Sequence, residues 1–233
     1  SPDLSLAHSV KGRCLLALNR FHEAEDVCRA AVKCDDSSCE AHLCLAAALR
    51  GRGSIAAARG EYVRALGLKP GDGDIRAQIG EFLLEQGELD EAEEHLRAAA
   101  HAGAKRAVPG LASVLERRGE PEAALRLIQE NEPGIPQTAA LARVKAQVLQ
   151  SRGNHKEAVA VLENLDIAAL SPYAAVSCLH ALGDAFHAAG RYDDAFAAYR
   201  RANSLRPIVY DRSRWERRIA SAETTYSACN LAK

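Results

Sequence analysis

The sequence predicts an all-α solenoid, a row of helical hairpins stacked along one axis. Three observations lead there. Alanine makes up about a fifth of the 233 residues and aromatics only 5%, and alanine with Leu, Glu and Arg is a helix-forming mixture poorly suited to strands. Long β-branched runs are missing. Above all, the chain resembles itself at a period near 34 residues, the signature of a stacked array.

The clearest copy runs from Leu182 to Pro207, with Leu182, Gly183, Phe186, Gly190, Tyr192, Ala195, Tyr199, Ala202 and Pro207 at its key positions. Its apolar residues form two stripes at helical spacing, split by a glycine-centred turn. The small residues Gly183, Ala195 and Ala202 let two helices approach closely, and Phe186 and Tyr199 fill the gaps beside them. Proline at the end, as at Pro70 and Pro207, stops the second helix and redirects the chain. One such hairpin cannot bury its own apolar face, so the copies must stack.

The first copy is the weakest, with Gly12, Leu15, Phe21, Ala24, Cys28 and Ala31. The second has Leu45, Ala46, Leu49, Gly53, Ala58, Tyr62, Ala65 and Pro70, and the third has Ile79, Gly80, Leu83, Gly87, Ala92, Leu96 and Ala99. Further copies sit around Gly119 and Ala124 and around Gly153 and Ala158, so the six begin near 5, 39, 73, 105, 139 and 176. In the fourth, Pro109 falls where the first helix should already be running, so that helix starts late; Pro121 suits a first turn. Pro133, Gly134 and Pro136 then interrupt the chain, predicting a looser seam and changed curvature over residues 104–138. Asp166 to Ser171 is a small insertion, and Ser171-Pro172 reads as a cap and first turn. After Pro207, Ser213 and Glu216 make a capping-box pattern, and Trp215, Ile219, Ala222, Tyr226 and Cys229 share one helical stripe. The regions are therefore 1–209 for the repeats and 210–233 for a capping helix. Trp215 would plug the exposed flank of the last repeat, with a partner-binding anchor as the competing reading.

This pattern of small and large residues resembles the tetratricopeptide repeat (TPR) family over about nine-tenths of the chain. The resemblance implies a right-handed α-solenoid of six hairpins, binding a protein or peptide segment along its concave groove. First-helix positions line that groove. By register they include Arg13, Leu43, Arg50, Glu81, Leu84, Arg117, Arg143, Gln147, His180, Asp184 and His187, with Leu16, Ala77 and Ser113 among them. Chaperone-binding members clamp a C-terminal carboxylate with Lys and Asn at set inner positions. Here those positions hold Ser9 and Arg13, Leu43 and Ala47, and Ala77 and Glu81, which do not reproduce the clamp.

A second resemblance covers only about the last fifty residues, where Ala195 to Trp215 is similar to the last repeat and linker of bacterial TPR-sulfotransferases, through Asn203 and Tyr210-Asp211. It implies a catalytic domain beyond Lys233, opening with a strand and a loop that binds the 5'-phosphosulfate of the donor. No such loop stands in this sequence.

Other chemistry is scarce. Thirty basic residues against 31 acidic ones give a net charge of -1, so no overall field draws in nucleic acid. No apolar run approaches the roughly 20 residues of a membrane span, and no charged-then-apolar leader opens the chain, which points to a soluble, cytoplasmic protein. Phosphate-binding glycine loops, the GxSxG elbow, HExxH and EF-hand patterns are all missing, so this stretch is read as non-catalytic, with no cofactor. His180, Asp184 and His187, at i, i+4 and i+7, could offer two imidazoles and a carboxylate to a transition metal. No fourth ligand is identifiable, so they read as a polar groove lining that contacts a peptide or water, and no metal site is assigned. The seven cysteines match neither paired zinc-ligand nor thioredoxin-type spacings. They read as reduced thiols serving as small core residues, with Cys14, Cys28, Cys34 and Cys178 at buried positions of the repeat, and a redox or metal role as the alternative.

Overall fold

A computed structural model describes residues 2–131 and 138–205. The described residues form helical hairpins throughout, with no strand. The helices pair as α1 (Pro2–Ala17) with α2 (Phe21–Cys34), α3 (Cys39–Gly51) with α4 (Ile55–Leu68), and α5 (Gly73–Gln86) with α6 (Leu89–His101). They continue as α7 (Ala107–Arg117) with α8 (Pro121–Asn131), α9 (Ala139–Ser151) with α10 (His155–Glu163), and α11 (Pro172–Ala188) with α12 (Tyr192–Ser204). The all-α solenoid expected from the repeat is thus the observed architecture. The capping helix expected over 210–233, with Trp215, lies outside the described residues.

Local chemistry sets the hairpin boundaries. Each tight turn needs one residue in the left-handed region, such as Asn19 at φ 56° in the first hairpin and Gly87 at 80° in the third. Ser38, Asp72, Thr138 and Ser171 cap α3, α5, α9 and α11 by accepting from first-turn backbone N–H groups. Pro172 follows its cap in the first turn of α11, as the Ser171-Pro172 pair implies. The preceding insertion folds as a short 3-10 turn, Ile167–Ala169. Pro109 stands in the first turn of α7, where its missing N–H costs nothing, and α7 is a short first helix of 11 residues.

Packing follows the small–large rule of the repeat. Gly183 lies against the Tyr199 ring, and Gly51 against the Phe21 ring, closely enough that an added Cβ would overlap either ring. Tyr62 and Phe82 fill the space between the second and third repeats, with ring centroids 5.2 Å apart. The two largest clusters of buried residues run from Cys28 to Val114 and from Ala112 to Ala198, dividing within α7, with smaller ones around Leu15 and Leu179.

Two expectations about cysteine are corrected. Cys28 and Cys44 form a disulfide between α2 and α3, with Cα atoms 5.8 Å apart, rather than two separate thiols. Gly12 faces both sulfurs, since a Cβ there would stand 2.5 Å from one and 2.6 Å from the other. Cys14 is exposed and Cys34 only half-buried. Cys14 falls between the buried positions Gly12 and Leu15 of α1 and faces solvent. Cys39 and Cys178 are buried, and burial pushes both thiols above the usual range, in keeping with a core role.

Candidate functional site

The stacking turns one set of helices inward. First helices pack directly on one another, α1 on α3, α5 on α7, α7 on α9 and α9 on α11, whereas each second helix packs on its own partner and on the next first helix. The first helices therefore form the inner rail of a curved stack. The curvature brings distant repeats together at one chamber of about 800 Å³. Leu16 and Phe21 from the first repeat, Ala47 and Arg50 from α3, and Glu85 from α5 face Tyr173 and Val176 of α11 across it.

Along this inner face most polar side chains are already engaged across a seam. Arg13 pairs with Glu40 at 2.8 Å, Arg50 with Glu85 at 3.6 Å and Arg106 with Glu81 at 3.2 Å. The Arg117 guanidinium donates to the Leu84 carbonyl at 2.9 Å. Gln147 donates to Glu116 Oε2 at 2.9 Å, and Ser151 donates to its Oε1 at 2.6 Å. Leu43 is half-buried against the core and Leu84 lies within it.

The fifth seam differs. A smaller pocket of about 360 Å³ between α9 and α11 gathers Arg143, Gln147, Gln150, Ser177, His180 and Asp184. Arg143 is exposed and has no ion-pair partner among the described residues. Asp184 accepts a 2.6 Å hydrogen bond from the Tyr199 hydroxyl. Burial and this carboxylate together push the Tyr199 pKa up to about 12, so the hydroxyl remains a donor. His180 lies beside the Tyr199 ring, centroids 5.9 Å apart. His187 is not in this pocket; its ring stands edge-on to Tyr192 at 5.3 Å near the turn. The three-residue stripe is thus divided between two places. No group of three His, Cys, Asp or Glu among the described residues is arranged to hold a metal.

A second polar line runs along the turn edge, and sequence reasoning missed it. Arginine clips all five seams. Arg52 pairs with Glu25, Arg59 with Glu88 and Glu91, Arg118 with Asp90 and Glu93, Arg152 with Glu122, and Arg191 with Glu163. Burial alone would raise the Glu25 carboxyl, but hydrogen bonds from Arg52 and Arg29 outweigh it and hold that group below the usual range. The signal was present in Arg52-Gly53, Arg118-Gly119 and Arg152-Gly153, where arginine precedes the turn glycine. The chamber residues Phe21 and Tyr173 were missed for another reason: they meet only because the stack curves.

A solenoid of paired helices with its first helices lining a curved inner face is the architecture of a repeat-built binding scaffold. Tetratricopeptide repeat models match residues 49–109, 143–207, 5–30 and 110–130, together about three-quarters of the chain. The chain belongs to the tetratricopeptide repeat family. No curated protein sequence matches it. Among solved structures it is similar to pilF of Pseudomonas aeruginosa, at 19% identity and a TM-score of 0.64, covering 93% of this chain and 98% of that one. It is also similar to PilW, a type IV pilus biogenesis factor, at 15% identity and a TM-score of 0.68, covering 90% and 97%. The Cut9-Hcn1 hetero-tetramer of the APC/C gives 16% identity and a TM-score of 0.73 over 85% of this chain and 39% of that one. At these identities the likeness is one of fold.

Proposed function

We propose that the chain is a non-catalytic scaffold that holds a segment of a partner protein against its inner face. The observation that carries this reading is the chamber where first helices of the early repeats face the last one. It is concave, partly apolar and rimmed by side chains from five helices. The family's general role in protein–protein contacts supports the same reading. No helix among the described residues is long and apolar enough to cross a membrane, and the balanced charge of -1 gives nucleic acid no field to follow. The partner is read as a polypeptide, in keeping with the concave inner face.

The test is capture of native partners by the chain and by an Arg13→Ala, Glu81→Ala, Arg143→Ala variant. Arg13 and Glu81 make exposed pairs worth at most about 1 kcal/mol each, so the helical signal should not change. Recovered partner should fall about tenfold or more, because these groups span the first, third and fifth repeats. Unaltered capture would move the contact surface elsewhere. The alternative, the N-terminal region of a sulfotransferase, rests on Ala195 to Trp215, of which Asn203 is exposed on α12 and Tyr210-Asp211 lie outside the described residues. A strand and phosphate-binding loop in the reading frame after Lys233 would support it, and a stop codon there would remove it.

A further inference from the structure

We propose that the inner face reads a two-part signal in its partner, a large apolar side chain next to a carboxylate, and that Arg143 reads the carboxylate. This deepens the groove reading and rests on it. The chamber and the α9–α11 pocket are adjoining rooms, since Val176 and Ser177 line both. In the chamber the apolar and aromatic groups Leu16, Phe21, Tyr173 and Val176 set the character. Its one charged pair, Arg50 with Glu85 at 3.6 Å, is already matched. That room favours an aliphatic or aromatic side chain without selecting charge.

The neighbouring room is different because its arginine is uncommitted. Arg13, Arg50 and Arg106 are each tied to a glutamate, and Arg117 to a backbone carbonyl. Arg143 has no ion-pair partner among the described residues, and its fork of N–H donors matches a carboxylate. The acid in the same pocket, Asp184, already accepts from Tyr199 at 2.6 Å. Gln150, Ser177 and half-buried His180 supply further polar contacts around the entering group. A chain lying along α11 past Val176 and Ser177 would put an apolar side chain in one room and an acidic one in the other.

The probe is a fluorescein-labelled hexapeptide, Gly-Ser-Phe-Glu-Ser-Gly, compared with its Phe-Gln and Ala-Glu analogues by fluorescence anisotropy on the full chain. The Phe-Glu peptide should bind about tenfold more tightly than the Phe-Gln one, the scale expected of one charge-assisted contact. Arg143→Ala should erase that ratio. Tyr173→Ser, at a side chain 68% exposed and so safe for folding, should weaken both Phe peptides while leaving their ratio intact. Equal binding of Phe-Glu and Phe-Gln, or a ratio that survives Arg143→Ala, overturns the proposal.

If native capture is still lost in an Arg13→Ala, Glu81→Ala variant that keeps Arg143 when the ratio fails, only this two-part signal falls. If capture is also indifferent to them, the groove reading falls with it. A shift of Trp215 emission in Tyr173→Ser without peptide would give the chamber to the chain's own C-terminal stretch. A doubled mass in sedimentation, lost in the same variant, would give it to a second copy. Either result overturns the external partner.

Discussion

Leu96→Ala is expected to lower stability by about 2–5 kcal/mol, the range for emptying a fully buried leucine site that cannot collapse. Leu96 is 0% exposed and works as a knob between two glycines on different repeats. A Cβ on Gly80 would stand 2.5 Å from Leu96 Cγ, and one on Gly110 would stand 2.8 Å from Leu96 Cδ2. One side chain therefore joins α5, α6 and α7 across the third seam. Shortening it leaves a void walled by helix backbone, which is slow to close. Gly80→Val should be damaging for the opposite reason, as the added methyls meet Leu96 and the Ala92 carbonyl, 3.2 Å from the ideal Cβ. Urea unfolding followed by circular dichroism checks both, and a loss under 1 kcal/mol for Leu96→Ala would show that the seam repacks. Because neighbouring repeats stabilise one another, the lost contact should also separate unfolding of the two halves.

His42→Leu should cost about 2–3 kcal/mol although it replaces a polar group with an apolar one of similar size. His42 is 1% exposed, its Nδ1 lies 2.6 Å from Glu61 Oε2 and its Nε2 lies 2.9 Å from the Asp36 carbonyl. Removing the ring strands the Glu61 carboxylate, whose side chain is only 16% exposed and whose nearest arginine, Arg64, stands at 3.9 Å. The double variant His42→Leu, Glu61→Leu should recover most of the loss, because the stranded charge is then gone. A double variant as unstable as the single one would mean that the ring acts by shape alone. The measurement is a double-mutant cycle in urea.

The two predictions sit on different levels of the same chain, and they mark how far the sequence could be read. Gly80, Leu96, Gly183 and Tyr199 were legible as small and large partners because close helix packing imposes those residue types at fixed spacing. The cap at Ser171 was legible because N-cap hydrogen bonds are local, whereas the late start expected from Pro109 is not seen: α7 opens at Ala107 and takes Pro109 into its first turn. The Cys28–Cys44 disulfide was not, since it depends on how α2 meets α3 across a seam. His42 was unreadable as well, because its partner Glu61 lies 19 residues away on another helix. Of the first-helix residues expected to line the groove, Leu16 and Arg50 line the chamber, and Arg143, Gln147, His180 and Asp184 line the smaller pocket. That Arg50 is matched and Arg143 is not could not be named, because it turns on which acid each guanidinium reaches. The chamber itself arises from curvature accumulated over six hairpins, which no single repeat encodes.

Carboxyl footprinting of the chain with and without its captured partner tests the central claim most directly. Binding along the inner face should slow carbodiimide labelling of Glu40, Glu81 and Glu85, whose side chains are 41%, 34% and 55% exposed. Asp90, Glu122 and Glu163 on the turn edge, at 96%, 68% and 46%, should label as before. Protection of the turn-edge acids with the inner three unchanged would contradict the account.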